Sequence, residues 1–216
     1  MSDNSPIILV AAGTNGAGKS SILQPLIEAK GGAYFNPDHY SKDLVKAGYA
    51  RDEADAQAWQ TGYDQLVYSI DNHQNFAFET TLGGSSITLE LLRALALGRR
   101  VAIFYVGLEN VELHIARVAQ RVKRGGHSIP EAKIRERFDG SRANLLRFMG
   151  TKADLRIWDN STQTPDGAPR PVEIFRADKG KIIIPKDLDI TTTAKWAQPL
   201  VAKALELKDA KRAPKT

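Results

Sequence analysis

The chain has 216 residues, 42% of them hydrophobic and 25% charged, with a formal net charge of +5. That length suits one α/β domain, and no run of about 18 apolar residues is present to cross a membrane. There is no cysteine, which excludes disulfides and thiolate metal sites, and His39, His73, His114 and His127 lack the spacing of a zinc enzyme.

The start, MSDNSP, has neither the basic residues nor the apolar stretch of a secretory signal, so a cytoplasmic protein is expected. Residues 7–12 (IILVAA) form the continuous apolar run of a central parallel strand, and a glycine-rich stretch follows at once. Residues 20–30 read as a helix bent at Pro25 and ended by Gly31-Gly32. A short second strand is expected at 33–36, closed by Pro37-Asp38. Trp59, Tyr63, Leu66 and Ile70 fall on one face of a predicted helix, at i, i+4, i+7 and i+11. FAFE (76–79) predicts a buried strand ending in a carboxylate. Ile87, Leu91 and Leu95 mark a helix capped by Gly98, and VAIFYV (101–106) is the clearest later strand.

The next helix carries Val111, Ile115, Val118 and Val122 as its apolar stripe, and another is predicted from about 130 to 149. A further strand is expected at 155–158. Residues 171–184 read as two short strands about Asp178-Lys179-Gly180, an antiparallel hairpin at a sheet edge. A last helix is expected over about 192–207, followed by a basic flexible tail at 208–216. This alternation predicts one P-loop α/β domain over 1–207, a parallel sheet flanked by helices, with a helical lid at about 117–142 and a small C-terminal hairpin.

GTNGAGKS, residues 13–20, satisfies G-x-x-x-x-G-K-[ST] at every fixed position. Gly13, Thr14, Asn15, Gly16, Ala17 and Gly18 let consecutive backbone N–H groups turn toward phosphate oxygens, and the following helix adds its positive end. Lys19 reaches the β- and γ-phosphates of ATP, and the Ser20 hydroxyl, with Ser21 beside it, meets Mg²⁺. The spacing of Gly13, Gly16 and Gly18 does not suit a dinucleotide fingerprint.

Two carboxylates follow. Asp38, in NPDHY, is placed at the carboxyl edge of the sheet to take or orient the proton of an attacking hydroxyl; an Asx turn or helix N-cap at Asn36-Pro37-Asp38 accounts for it equally well. Glu79 ends its strand where it meets either Mg²⁺ or the acceptor's hydroxyls, or simply closes the strand. Arg117, Arg121 and Arg124 share one side of a helix, with Arg121 closest to the Val118 stripe. Beyond the Gly125-Gly126-His127 break, Ile134, Phe138 and Leu145 form a buried stripe flanked by Arg137. Arg121 and Arg137 are therefore the inward candidates to steady a transferring phosphoryl group, and Arg124 and Arg142 fit a solvated face. His127 suits a phosphate contact or a hinge-packing role.

The order GTNGAGKS, NPD, FETTL, RGGHSIP with IRERF, and then WDNS resembles the zeta-toxin family of P-loop kinases, its compact chromosomal branch in particular, over most of residues 7–161. The resemblance implies ATP- and Mg²⁺-dependent phosphorylation of a hydroxyl on a UDP-activated amino sugar, chiefly UDP-N-acetylglucosamine. It further implies control by an antitoxin, here expected as a separate chain. On that resemblance Asp38 is the general base, Glu79 and Thr81 are sugar-nucleotide contacts, and Lys19, Arg121 and Arg137 act on the phosphates. Asp159 and Asn160 fall at the adenine-side loop. The short segment after Glu79 implies a smaller acceptor region than in longer toxins. Another small metabolite as acceptor, or a nucleotide-binding regulatory module, also suits the cradle, whereas nucleic acid is not an expected partner.

Overall fold

The computed structural model describes residues 5–28, 33–164 and 168–210. The predicted helix end at Gly31-Gly32 and the tail beyond 210 lie outside them. Among the described residues, six strands and seven helices follow in chain order: β1 Ile7–Ala12, α1 Lys19–Glu28, α2 Pro37–Lys46, α3 Arg51–Asp71, β2 Phe76–Thr80, α4 Ser85–Ala96 and β3 Arg100–Gly107. Then come α5 Val111–Lys123, α6 Glu131–Leu146, β4 Asp154–Asp159, β5 Val172–Asp178, β6 Lys181–Ile183 and α7 Gln198–Ala210.

The strands form one sheet in the order β2-β1-β3-β4-β5-β6. The first three neighbouring pairs are parallel and the last two antiparallel, so 172–183 is the expected hairpin, added to the sheet edge. Helices flank the parallel part, and β1 and β3 are buried almost throughout, which is why they read as unbroken apolar runs. All four parallel strands deliver their carboxyl ends to one rim: β1 runs into the cradle, β2 ends at Glu79-Thr80, β3 at Gly107 and β4 at Asp159. Ligands of such sheets sit along this rim.

Four expectations change. The segment at 33–36 is not a strand but a single parallel bridge, Phe35 to Phe78, in which the Phe35 N–H donates to the Ala77 carbonyl (2.8 Å) and its carbonyl accepts from the Glu79 N–H (2.9 Å). Asn36 then caps α2 through its side chain and ends any strand. Trp59 is 48% exposed; the inward face of α3 is Ala54, Ala58, Gly62, Leu66 and Ile70, with small residues where α3 is crowded, as by Phe35 against Gly62. On α5 the buried residues are His114 and Val118, and Val122 is exposed, because this helix packs on the polar cradle rather than on an apolar sheet face. The last helix starts at Gln198 and runs through Ala210, so 208–210 are helical.

The second helix of the expected lid, α6, is fastened to the body. Ile134, Ser141 and Leu145 are buried, and the Ser141 hydroxyl lies 3.0 Å from the Tyr105 hydroxyl and donates to the Thr81 carbonyl (2.6 Å). Asn144 Nδ2 donates to the Leu82 and Gly84 carbonyls at 2.9 and 3.0 Å. These bonds hold Leu82 in the left-handed region, at φ 54°, which a leucine adopts only under outside constraint. Replacing Ser141 by Val should cost ~2 kcal/mol or more in urea denaturation, because it strands the buried Tyr105 hydroxyl and the Thr81 carbonyl together; Tyr105→Phe should cost only about 1 kcal/mol.

Candidate active site

The cradle is held from outside itself. Gly13 has φ 135°, and a Cβ there would run into the Val106 carbonyl; Gly18 has φ 90°, and a Cβ there would lie 2.7 Å from Asn160 Nδ2. Only glycine meets both demands. Asn160, fully buried after β4, donates to the Ala17 carbonyl (2.9 Å), while its Oδ1 has no hydrogen-bond partner among the described residues. It therefore braces the cradle rather than simply lining an adenine pocket. Arg117 Nη2 donates to the Asn160 carbonyl at 2.9 Å and ties α5 to the same loop. Asp159 accepts from Trp196 Nε1 (2.8 Å) and from the Ser161 hydroxyl (2.7 Å), which fixes the end of β4.

His114 braces the other side, its Nδ1 lying 2.8 Å from the Asn15 carbonyl. Burial, stronger than the pull of that carbonyl, pushes the imidazole from 6.5 down to about 4, so it is neutral at ordinary pH and donates this bond. Sequence reading passed over both His114 and Arg117 in these roles. The signal available was the i, i+3, i+7 spacing of His114, Arg117 and Arg121, which places polar groups on the face that meets the cradle.

Lys19 is 4% exposed; its Nζ donates to the Thr14 carbonyl (3.3 Å) and pairs with Glu79 Oε1 (3.4 Å). Glu79 is the hub. Its Oε2 accepts from the Ser20 hydroxyl (2.6 Å), the Tyr34 hydroxyl (3.1 Å) and Asn36 Nδ2 (3.2 Å). Burial, reinforced by the Glu79 charge, raises the Tyr34 pKa, so the phenol stays a donor to the carboxylate. Of the two functional readings open for Glu79, this geometry favours the side of the cradle and Ser20. Ser21 is exposed on α1 and joins none of this.

Asp38 stands in the first turn of α2, whose Asn36 cap accepts from its N–H (2.9 Å). The helix-entry reading holds with Asn36, not Asp38, as the capping residue. Its carboxylate meets Arg121 Nη1 at 3.4 Å and His127 Nε2 at 3.9 Å. Arg121 also donates to the His127 carbonyl (3.4 Å), and desolvation lowers the His127 pKa. Arg137 Nη1 donates to Asn15 Oδ1 (2.9 Å), which sets its guanidinium over the cradle. Arg142 lies over the Phe138 ring and Arg124 is exposed, so neither joins the cluster.

Lys19, Glu79, Asp38, Thr81, His127 and Arg137 border one cavity of about 490 Å³ that reaches to α3, whereas Arg121 lies outside its lining. A phosphate cradle that meets, at Asn15 and Lys19, a cavity lined by the Asp38 and Glu79 carboxylates and the Arg137 guanidinium suits phosphoryl transfer.

The family described as Zeta toxin matches residues 1–164. The chain belongs to the zeta toxin family. An uncharacterized protein of Haemophilus influenzae is 32% identical to this zeta toxin family member over 126 residues, 58% of this chain and 88% of that one. The AvrRxo1-ORF1:-ORF2 structure with ATP superposes at a TM-score of 0.62 and 15% identity, over 96% of this chain and 76% of that one. The PezAT chromosomal toxin-antitoxin structure from Streptococcus pneumoniae gives 0.51 and 14%, over 99% and 90%. At these identities the structures show a shared fold. No helix among the described residues is long and apolar enough to cross a membrane.

The His114 brace carries a pH signature. Its folded pKa lies below the unfolded value, so it costs nothing above about pH 6.5 and destabilises progressively as the pH falls toward 4. Between about pH 7 and pH 4 the parent protein should lose up to ~3 kcal/mol more stability than His114→Phe, as measured by urea denaturation across that range.

Proposed function

We propose that this chain is an ATP-dependent phosphotransferase that moves the γ-phosphoryl group of ATP onto a hydroxyl of a UDP-activated amino sugar. The observation that carries the proposal is the junction at Lys19 and Glu79. There the buried cradle lysine and the end of β2 meet the cavity that holds Asp38, so donor and acceptor lie on either side of one ion pair. Family membership supports the acceptor class.

In this reading Gly13 to Ser20 hold the triphosphate, and Lys19 exchanges Glu79 for the β- and γ-phosphates. Asp38 accepts the proton of the acceptor hydroxyl as its oxygen bonds to the γ-phosphorus and the bond to the β,γ-bridging oxygen breaks, which leaves ADP. Arg121 leaves Asp38, and Arg137 extends from Asn15, to steady the charge spread over the phosphoryl oxygens. The segment 117–142 acts as the lid. Because Ser141 and Asn144 anchor α6, closure is confined to its front, around Arg121 and the 124–130 connection. Thr81, on the cavity wall beside the constrained Leu82, contacts the acceptor.

The Ser20 hydroxyl and the Glu79 carboxylate are hard oxygen donors 2.6 Å apart, a set that fits Mg²⁺ alongside phosphate oxygens and water. When bound, the ion would neutralise charge on the β- and γ-phosphates. The likeness to the PezAT toxin-antitoxin structure supports a separate antitoxin protein as partner.

Incubation with ATP, Mg²⁺ and a panel of UDP-sugars, read by mass spectrometry, should yield one product heavier by a single phosphate; no product with any UDP-sugar overturns the acceptor assignment. In the same assay Asp38→Asn should lower the transfer rate by ~10²–10⁴-fold while ATP affinity changes by less than about threefold. Lys19→Ala should impair transfer through lost phosphate positioning, and unchanged activity in that variant would refute the cradle's role.

A further inference from the structure

The far end of the cavity holds a feature that phosphoryl transfer leaves unused. Trp59 and Tyr63, one turn apart on α3, stack with ring centroids 5.3 Å apart and planes inclined by 12°, and both line the cavity. An i, i+4 aromatic pair steadies a helix, which explains the stack. It does not explain why the indole keeps 48% of its surface exposed at the cavity wall, when Leu66 and Ile70 farther along the same helix are sealed in the core. Tyr63 is partly buried against that core, so the pair is fixed from behind. The result is a rigid flat surface with one free face.

Cations share this cavity. Arg137 borders it, as does Lys133, an exposed residue on α6. On the same helix Arg135 is held by Glu112 and Glu131 and Arg142 by Asp139, whereas Lys133 makes no ion pair among the described residues. A flat aromatic face, two cations and a volume of about 490 Å³ together suit a ligand with a planar ring joined to phosphates, larger than a sugar phosphate alone.

We propose that Trp59, backed by Tyr63, is the platform on which the planar base of the acceptor nucleotide stacks, and that it sets the preference for a nucleotide-linked acceptor. Lys133 neutralises the phosphates that join base and sugar. The proposal rests on the reading of this cavity as the acceptor side of a kinase.

The test uses the full chain and the Trp59→Phe and Trp59→Leu variants, with the donor site saturated by a non-hydrolysable ATP analogue and Mg²⁺. UDP, CDP, GDP and N-acetylglucosamine 1-phosphate are titrated by tryptophan fluorescence and calorimetry. UDP should quench the parent protein's fluorescence. Trp59→Leu should weaken UDP binding by about tenfold or more and Trp59→Phe, which keeps a stacking ring, by less than about threefold. Affinity for the sugar phosphate should be unchanged in both. Equal UDP affinity in the parent and Trp59→Leu, or a loss confined to the sugar phosphate, overturns the platform. If UDP-sugars are still phosphorylated in that case, the kinase reading stands without it. A Trp59-dependent response to CDP or GDP, with no UDP-sugar phosphorylated, upholds the platform and removes the uridine assignment.

Discussion

Everything at the catalytic rim depends on keeping one short stretch of backbone in a shape that few sequences tolerate. The cradle must turn its N–H groups inward, and it does so against two buried polar braces: Asn160 on the Ala17 carbonyl and His114 on the Asn15 carbonyl. Each gives a buried backbone carbonyl a hydrogen bond, and a buried acceptor left unpaired costs ~1–3 kcal/mol. Gly13 and Gly18 admit the neighbours that press on the loop, Val106 and Asn160. The chemistry of the cradle is thus local in sequence, but its rigidity comes from β3, α5 and the end of β4.

A second constraint joins the two halves of the site. Glu79 gathers a lysine ammonium, two hydroxyls and an amide onto one carboxylate at low exposure. A buried carboxylate survives only with such partners. The ion pair with Lys19 is then an occupant that triphosphate must displace, which couples filling of the donor site to the freedom of Glu79. Arg121 stands in a similar position toward Asp38. The two carboxylates are held by the same cations that the reading assigns to the phosphates.

Much of this was legible from residue order. The apolar runs of β1 and β3 could only be buried strands, and GTNGAGKS between a strand and a helix admitted one backbone geometry. The place of Glu79 followed from the rule that parallel strands present their carboxyl ends to one rim; Asp38 comes to that rim from the first turn of α2, not from a strand end. What escaped was set by neighbours distant in sequence. Trp59 lies on the same helical stripe as Leu66 and Ile70, yet the first half of α3 turns the small residues Ala54, Ala58 and Gly62 inward, so the stripe passes from buried to cavity wall within two turns. On α5 the valines suggested an apolar inward face. The helix packs on polar backbone instead, and His114 and Arg117 face it. Phe35 forms a single bridge because Asn36 caps a helix one residue later, a competition that strand propensity does not register.

The central claim is that both substrates occupy one continuous cavity and that the phosphoryl group passes directly between them. Initial rates measured over a grid of ATP and UDP-N-acetylglucosamine concentrations test it most directly. Direct transfer predicts double-reciprocal lines that intersect. Parallel lines, the mark of a phosphorylated enzyme intermediate released between two half-reactions, would contradict the account.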